Sequence, residues 1–491
     1  MDSKYTISCF TNFKNIMFFL VMLLVPLISY GQITFQKIFG GTRSESSYKV
    51  EICSDGGYIT AGYTVSSGPG DASMQLIKTD LYGKQIWEAV IGGKYTDYAF
   101  AVTTTTDGNY VAVGSTTSFG SGQQDIYAVK IDNNGNKLWE KTYGGLQKEE
   151  GWDIRQTNDG GFIITGMTNS FGATFFDAFL LKIDTNGNEE WKKLYGGPSY
   201  DSGLCVRQTL DGGYAFLGQT HSFGEGSGDF YLVKTDSNGN KEWSKTYGGT
   251  LTEEGRYFSL TDDGGFILIG KTESFGAGDE DIYVVKTDDK GILEWYKTFG
   301  GDKKDTGKSI EPTNDGGYII ASSSRSFNWA NPNAWFIKID KQGEQVWAKE
   351  YGGYDHDHGH HILPTSDGGY IATGHVNKNI AQMEDSYLLK LDSLGEWSDN
   401  TGIREESLAN TIQIYPNPSS GIVELSLKMN THGSLEINIL SYMGKVIYKN
   451  IYHPENLSFS IKIDMQSFPK GIYLLRVSDG LDQTTTKVIL D

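Results

Sequence analysis

The sequence predicts an all-β protein, a seven-bladed β-propeller of 52-residue repeats followed by a small Ig-like β-sandwich. Three observations carry that prediction. The turn signature Asp-Gly-Gly/Asn-Tyr/Phe begins at Asp55, Asp107, Asp159, Asp211, Asp263, Asp315 and Asp367, each 52 residues from the last. A Gly-Gly doublet keeps the same step from Gly40 to Gly352. Trp87, Trp139, Trp191, Trp243, Trp295 and Trp347 follow it, with Phe35 in the first slot. Seven copies in strict register mark stacked units that bury their faces only against one another.

The elements follow in chain order. Residues 1–31 carry Lys4 and Lys14, the apolar run IMFFLVMLLVPLIS and the small residues Ser29 and Gly31, which predicts a secretory signal peptide. No later stretch approaches the roughly 20 apolar residues that span a bilayer, so no transmembrane anchor is expected in the mature chain. Residues 32–397 hold the repeats. One copy, GWDIRQTNDGGFIITGMTNSFGATFFDAFLLKIDTNGNEEWKKLYGG, contains four β-rich segments bounded by Asn-Gly, Asp-Gly or other Gly turns, and no helical period. Four antiparallel strands at a period near 50 describe a propeller blade. The chain enters on a fourth strand, ITFQKIFGG, and the last copy ends after a third, SYLLKLD, so the entering strand is expected to complete the last blade. This closure resembles that of WD-repeat propellers, and YxxKxDxxGNxxW resembles the quinoprotein-like repeat. No vicinal cysteine pair supports a quinone, and no cofactor is expected.

Residues 398–411 are a polar linker, and 412–491 alternate as short strands in a sandwich pattern. There IYPNPSSG, INILSYMGKVIY and FPKGIY resemble the C-terminal sorting domain of type IX secretion cargo in Bacteroidota. The resemblance carries a signal role onto Tyr415, Pro416, Asn417, Pro418, Gly421, Gly444, Gly471, Tyr473 and Lys487. It implies a partner in the type IX machinery, export across the outer membrane, and a secreted or surface location.

The formal charge of −19 becomes about −20 without residues 1–31. An acidic surface of that size argues against nucleic acid or anionic lipid as a partner. Repetition then separates scaffold from site, because a residue type present in every copy serves the copy. The Trp series is expected to pack between blades. Seven acids at a fixed offset, Glu45, Asp97, Glu149, Asp201, Glu253, Asp305 and Asp357, are expected to ring one mouth of the central channel, chiefly as backbone acceptors. The variable loops bring forward Phe175, Phe176, Trp329 and Trp335 as contacts for a glycan or protein. The segment GYDHDHGHH, Gly353 to His361, offers His356, Asp357, His358 and His360 as candidate ligands of a transition metal. No nucleophile elbow, His-Glu-x-x-His or phosphate loop is present. The expectation is a non-catalytic binding module. The alternative is a polysaccharide-acting enzyme of glycoside-hydrolase type, using carboxylates near the channel.

Overall fold

A computed structural model describes residues 32–172, 174–327, 331–352, 356–377, 383–397, 413–428, 435–441, 446–454, 458–478 and 483–491. Every helix or strand among them is a strand. The chain divides into two compact units, Met1–Trp397 and Ser398–Asp491.

In the first unit the Asp-Gly-Gly turns join first strands to second strands. Gly56 takes φ +81°, a region that favours glycine, and Asp55 Oδ1 accepts the Gly57 N–H at 2.9 Å. The turns organise seven four-stranded antiparallel sheets. The first sheet comprises Glu45–Ile52, Tyr58–Thr64, Ser73–Thr79 and Gln85–Ile91, and five more repeat it from Asp97, Glu149, Asp201, Glu253 and Asp305. The seventh combines His358–Pro364, Tyr370–Asn377 and Glu384–Leu391 with Phe35–Phe39 as its outer strand, Phe35 lying opposite Lys390.

The recurring lysine of each third strand is buried, and a buried ammonium is costly unless it is paired. Lys78 Nζ lies 2.8 Å from Asp55 Oδ2 of its own sheet's turn. The pair recurs as Lys130–Asp107, Lys182–Asp159, Lys234–Asp211, Lys286–Asp263, Lys338–Asp315 and Lys390–Asp367, all between 2.7 and 3.0 Å. One aspartate therefore caps the turn and neutralises the strand beside it.

Successive sheets dock through an aromatic ring on a glycine. The Trp87 indole N–H donates to the Asn133 carbonyl at 2.9 Å, and a Cβ on Gly135 would sit only 3.0 Å from the ring. The same crowding couples Trp139 to Gly187, Trp191 to Gly239, Trp243 to Gly291, Trp295 to Gly343 and Trp347 to Gly395. Phe35, on the seventh sheet, takes Gly83 of the first. The first strands of neighbouring sheets also face one another all the way round, the last against the first.

The second unit has a three-stranded sheet, Gln413–Tyr415, Ile422–Lys428 and Ser458–Asp464, and a four-stranded sheet, Leu435–Ser441, Val446–Tyr452, Gly471–Ser478 and Gln483–Leu490. Alternate residues of both, among them Val423, Leu425, Ile437, Ile439, Leu475 and Val488, share one core.

Phe35 is 1% exposed and is the ring by which the entering strand holds the first sheet. Phe35→Ala is expected to cost about 3–5 kcal/mol. Deleting residues 32–39 should lower the melting temperature by roughly 5 °C or more, because it also bares a strand edge. Calorimetry checks both, and an unchanged transition would separate Phe35–Phe39 from the last sheet.

Candidate functional site

Each first strand carries one bulge, with register shifts at Ser47/Lys49, Ala99/Ala101, Gly151/Asp153, Gly203/Cys205, Gly255/Tyr257, Gly307/Ser309 and Gly359/His361. A bulge sets two residues opposite one and re-aims a side chain. In four of the first strands two consecutive positions thereby line one cavity: Tyr48 and Lys49, Trp152 and Asp153, Arg256 and Tyr257, His360 and His361. Lys49 Nζ lies 3.4 Å from Asp153 Oδ1, two sheets on, and 3.3 Å from the Tyr257 hydroxyl, four sheets on. Residues of the first, third and fifth sheets thus meet at one place.

The deeper layer is a charge network. Asp153 Oδ2 receives Arg207 Nη1 at 2.9 Å, Arg155 Nη1 donates to Glu51 at 2.5 Å, and the Tyr257 hydroxyl donates to Glu311 at 2.6 Å. Burial acts to raise Asp153, but Lys49, Arg155 and Arg207 outweigh it and hold the carboxyl well below the usual range. His361 Nε2 stands 3.0 Å from the Tyr257 hydroxyl and is kept neutral by burial and by the same three cations. Burial lifts the Cys205 thiol to about 11, which favours the protonated form.

Above it lies a cavity of about 260 Å³ with two unlike walls. One is aromatic. Phe100 and Trp152 stack at 4.3 Å, Tyr48 approaches Phe100 at 5.7 Å, and Tyr63 and Tyr98 extend the belt. The other carries Arg256, Lys308 and His360. Arg256 Nη2 has Glu254 Oε1 at 2.8 Å. Among the described residues no carboxylate oxygen lies within 4.0 Å of Lys308 Nζ. Burial and then the Arg256 charge push Lys308 down to about 7.

The seven acids of the fixed offset are spent inside the scaffold, none more than 3% exposed. Glu45 Oε2 accepts the Gly41 N–H at 2.8 Å, and Gly93, Gly145, Gly197, Gly249 and Gly301 donate likewise to Asp97, Glu149, Asp201, Glu253 and Asp305. Asp357 accepts the Asn377 N–H at 3.0 Å. They latch the entry to each first strand and do not line the cavity.

The histidine-rich segment is divided by the fold. His358 Nδ1 meets the Ser323 hydroxyl at 2.7 Å, and His360 Nε2 lies 3.1 Å from His375 Nδ1, which also has the Ser46 hydroxyl at 3.0 Å. Asp357 is engaged by the Asn377 N–H, and the expected His/Asp ligand set is not assembled among the described residues. Among the described residues no group of three or more His, Cys, Asp or Glu is arranged to hold a metal ion. His375 escaped the sequence reading because it stands on the second strand, 14 residues from His361. Its signal was the repeat: the equivalent positions hold Tyr63, Ser115, Met167, Gln219, Lys271 and Ser323.

Of the loop aromatics, Phe175 is 58% exposed, while Phe176 packs toward Tyr200 with ring centroids 5.9 Å apart. Trp335 is a correction: it lies on the strand Asn333–Ile339, 5% exposed, against Phe327. A third strand sandwiched between sheets leaves no loop there. Trp329 and Gly444, like residues 1–31 and 398–411, lie outside the described residues.

In the second unit Asn417 ties the YPNP segment to the last strand, donating to the Lys487 carbonyl at 2.7 Å and accepting the Ile489 N–H at 2.9 Å. Tyr415 is exposed, flanked by Pro416 and Pro418. The Gly421 carbonyl accepts the Met465 N–H at 2.6 Å, and Tyr473, next but one to Gly471, donates to the Pro469 carbonyl at 2.5 Å.

The neutral histidines set a pH response. Burial first, then neighbouring positive groups, brings His358 down to about 2 and holds His360 and His361 well below their ordinary value. The unfolded chain binds protons below pH about 6.5 that the folded chain refuses, so this stability is present above that pH and is lost as pH falls. The loss is at most about 1.4 kcal/mol per pH unit for each histidine. Melting temperature should drop between pH 7 and 5, and His361→Gln should shrink the drop. A flat profile would mean that the rings are solvated.

Residues 413–491 match the family model described as the secretion system C-terminal sorting domain. Over 243 residues the chain is 23% identical to the regulatory protein FlaEY of Caulobacter vibrioides, covering 44% of this chain and 25% of that protein. Over 169 residues it is 21% identical to an endo-acting ulvan lyase of Formosa agariphila, covering 33% and 28%. The chain thus spans about a quarter of the length of these curated relatives. Among solved structures it is similar to the β-propeller domain of the Trilobed protease from Pyrococcus furiosus, at TM-score 0.42 and 10% identity over 76% of this chain and 100% of that one. A puromycin hydrolase S511A mutant complexed with PGG aligns at TM-score 0.47 and 13% identity, over 79% and 59%. The second unit is a type IX sorting domain, which marks the chain for export to the cell surface or the medium.

Proposed function

We propose that the first unit is a closed seven-bladed propeller acting as a non-catalytic binding module, with its ligand seat in the axial cavity. The sorting domain at 412–491 delivers it, after removal of a signal peptide at 1–31, and 398–411 is the linker. One observation carries the reading. The first-strand position of Tyr48, Phe100, Trp152, Leu204, Arg256, Lys308 and His360 differs in every repeat, whereas turn, latch and docking positions repeat nearly unchanged. A scaffold that holds its own contacts constant and varies the side chains at one convergent place is equipped for recognition there. A cavity of about 260 Å³ takes a single sugar ring or side chain of a larger partner, and aromatic faces suit the apolar faces of a sugar. An extracellular glycan is therefore the favoured ligand, ahead of a protein.

The alternative is an enzyme acting on polysaccharide. Its support is the 21% likeness to an ulvan lyase and the presence of Glu254 in the cavity wall. The Arg256–Glu254 pair, at 2.8 Å, engages that carboxylate and favours binding over acid-base work.

The full chain should bind glycans on an array with one site per molecule, and Phe100→Ala with Trp152→Ala should weaken binding at least about tenfold, near 1.4 kcal/mol. Parental affinity in the double variant would remove the cavity as the seat. Release of cleaved products from a bound glycan would favour the enzyme. Truncation after Trp397 should leave the protein in the periplasm, and undiminished export of the truncated chain would end the assigned role of the sorting domain.

A further inference from the structure

We infer that the cavity receives an acidic pyranose, a uronic-acid residue, with its ring against Phe100 and Trp152 and its carboxylate on Lys308 and Arg256. This rests on the reading of the cavity as a glycan seat and narrows it to a charge class. The argument is one of unmatched charge. Recessed cations around the channel have their counter-ions: Lys49 has Asp153 at 3.4 Å, Arg155 has Glu51 at 2.5 Å, Arg256 has Glu254 at 2.8 Å, and Lys271 has Glu280 at 3.3 Å. Lys308 is recessed in the same wall without such a partner among the described residues. A cation withdrawn from water is stabilised by an anion, and a neutral sugar brings none. The stacked aromatics opposite are wasted on a small inorganic anion, whereas a pyranose carboxylate uses both walls. The chain's net charge of −19 repels anions at long range, so the preference is set locally.

The pH response belongs to the same geometry. Lys308 faces Arg256 and Glu254 from the neighbouring first strand, Lys271 from the second strand of that sheet, Glu280 just before its third strand, and His358, His360 and His375 from the other side. Burial and Arg256 bring it down to about 7. An anion binds the charged form, so binding takes up a proton near neutrality and weakens as pH rises.

Titration calorimetry of the full chain uses D-galacturonate and D-glucuronate, their methyl esters, D-galactose and D-glucose, and acetate. The acids are expected to bind at least about tenfold more tightly than the esters, which keep the ring and lose the charge. Lys308→Gln should bring the acids to the ester level, and Lys308→Arg should keep most of the preference, with parental melting in each variant as the control for folding. Affinity for the acids should fall from pH 6 to 9. Equal binding of acids, esters and neutral sugars overturns this inference and leaves the glycan seat standing. Acetate binding as tightly as the acids also overturns it, since the ring would contribute nothing. Failure of every sugar to bind overturns the glycan seat itself.

Discussion

An aromatic ring laid on the glycine of the next sheet's turn is the contact on which the first unit depends. A four-stranded sheet with its first three strands buried on both faces cannot stand alone, and the pairs Trp87–Gly135 through Trp347–Gly395, with Phe35–Gly83, hold each sheet to the next. A side chain at any of those glycines would occupy the ring's place. Tyr143, Tyr195 and Tyr247 reinforce the same junctions by donating to the carbonyls of Gly187, Gly239 and Gly291 at 2.6 to 2.7 Å. Strand lengths and turn lengths are thereby tied together, which accounts for a period without insertion at its anchors.

This scaffold depends on satisfied burial of charge. Each sheet hides a lysine behind its own turn aspartate and an acid behind the backbone of its entry loop. Both are arrangements in which removing one partner strands the other in a low-dielectric interior. The channel extends the pattern with Asp153 among Lys49, Arg155 and Arg207. Within so consistent a rule, the amphipathic cavity above the network and Lys308, with no carboxylate oxygen within 4.0 Å among the described residues, stand out as features that the scaffold itself does not need.

Much of the molecule was legible in the sequence. The period located all seven turns, the docking tryptophans and the place of Phe35, because those contacts are local to a repeat and to its neighbour. The YPNP and FPKGIY segments likewise sit at the seams of the second unit. Two misreadings share a cause. Trp335 looked like a loop residue because the loop before it varies in composition from repeat to repeat, yet strand register carries it into the core. Asp357 looked available to the histidines beside it, yet its place in the repeat commits it to a backbone latch. Neighbourhood in sequence was mistaken for neighbourhood of side chains.

The sequence by itself determined the strand order, the count of repeats, the sheet that takes the entering strand and the sorting domain, since all of these follow from spacing and turn chemistry. Only the tertiary structure decided which varying residues act together. In four of the first strands the bulge brings two successive positions to the cavity where alternation alone would bring one. Residues two and four sheets apart, such as Lys49, Asp153 and Tyr257, or His360 and His375 on different strands, then become partners. That convergence depends on how the sheets are placed against one another, a geometric quantity that no single repeat contains.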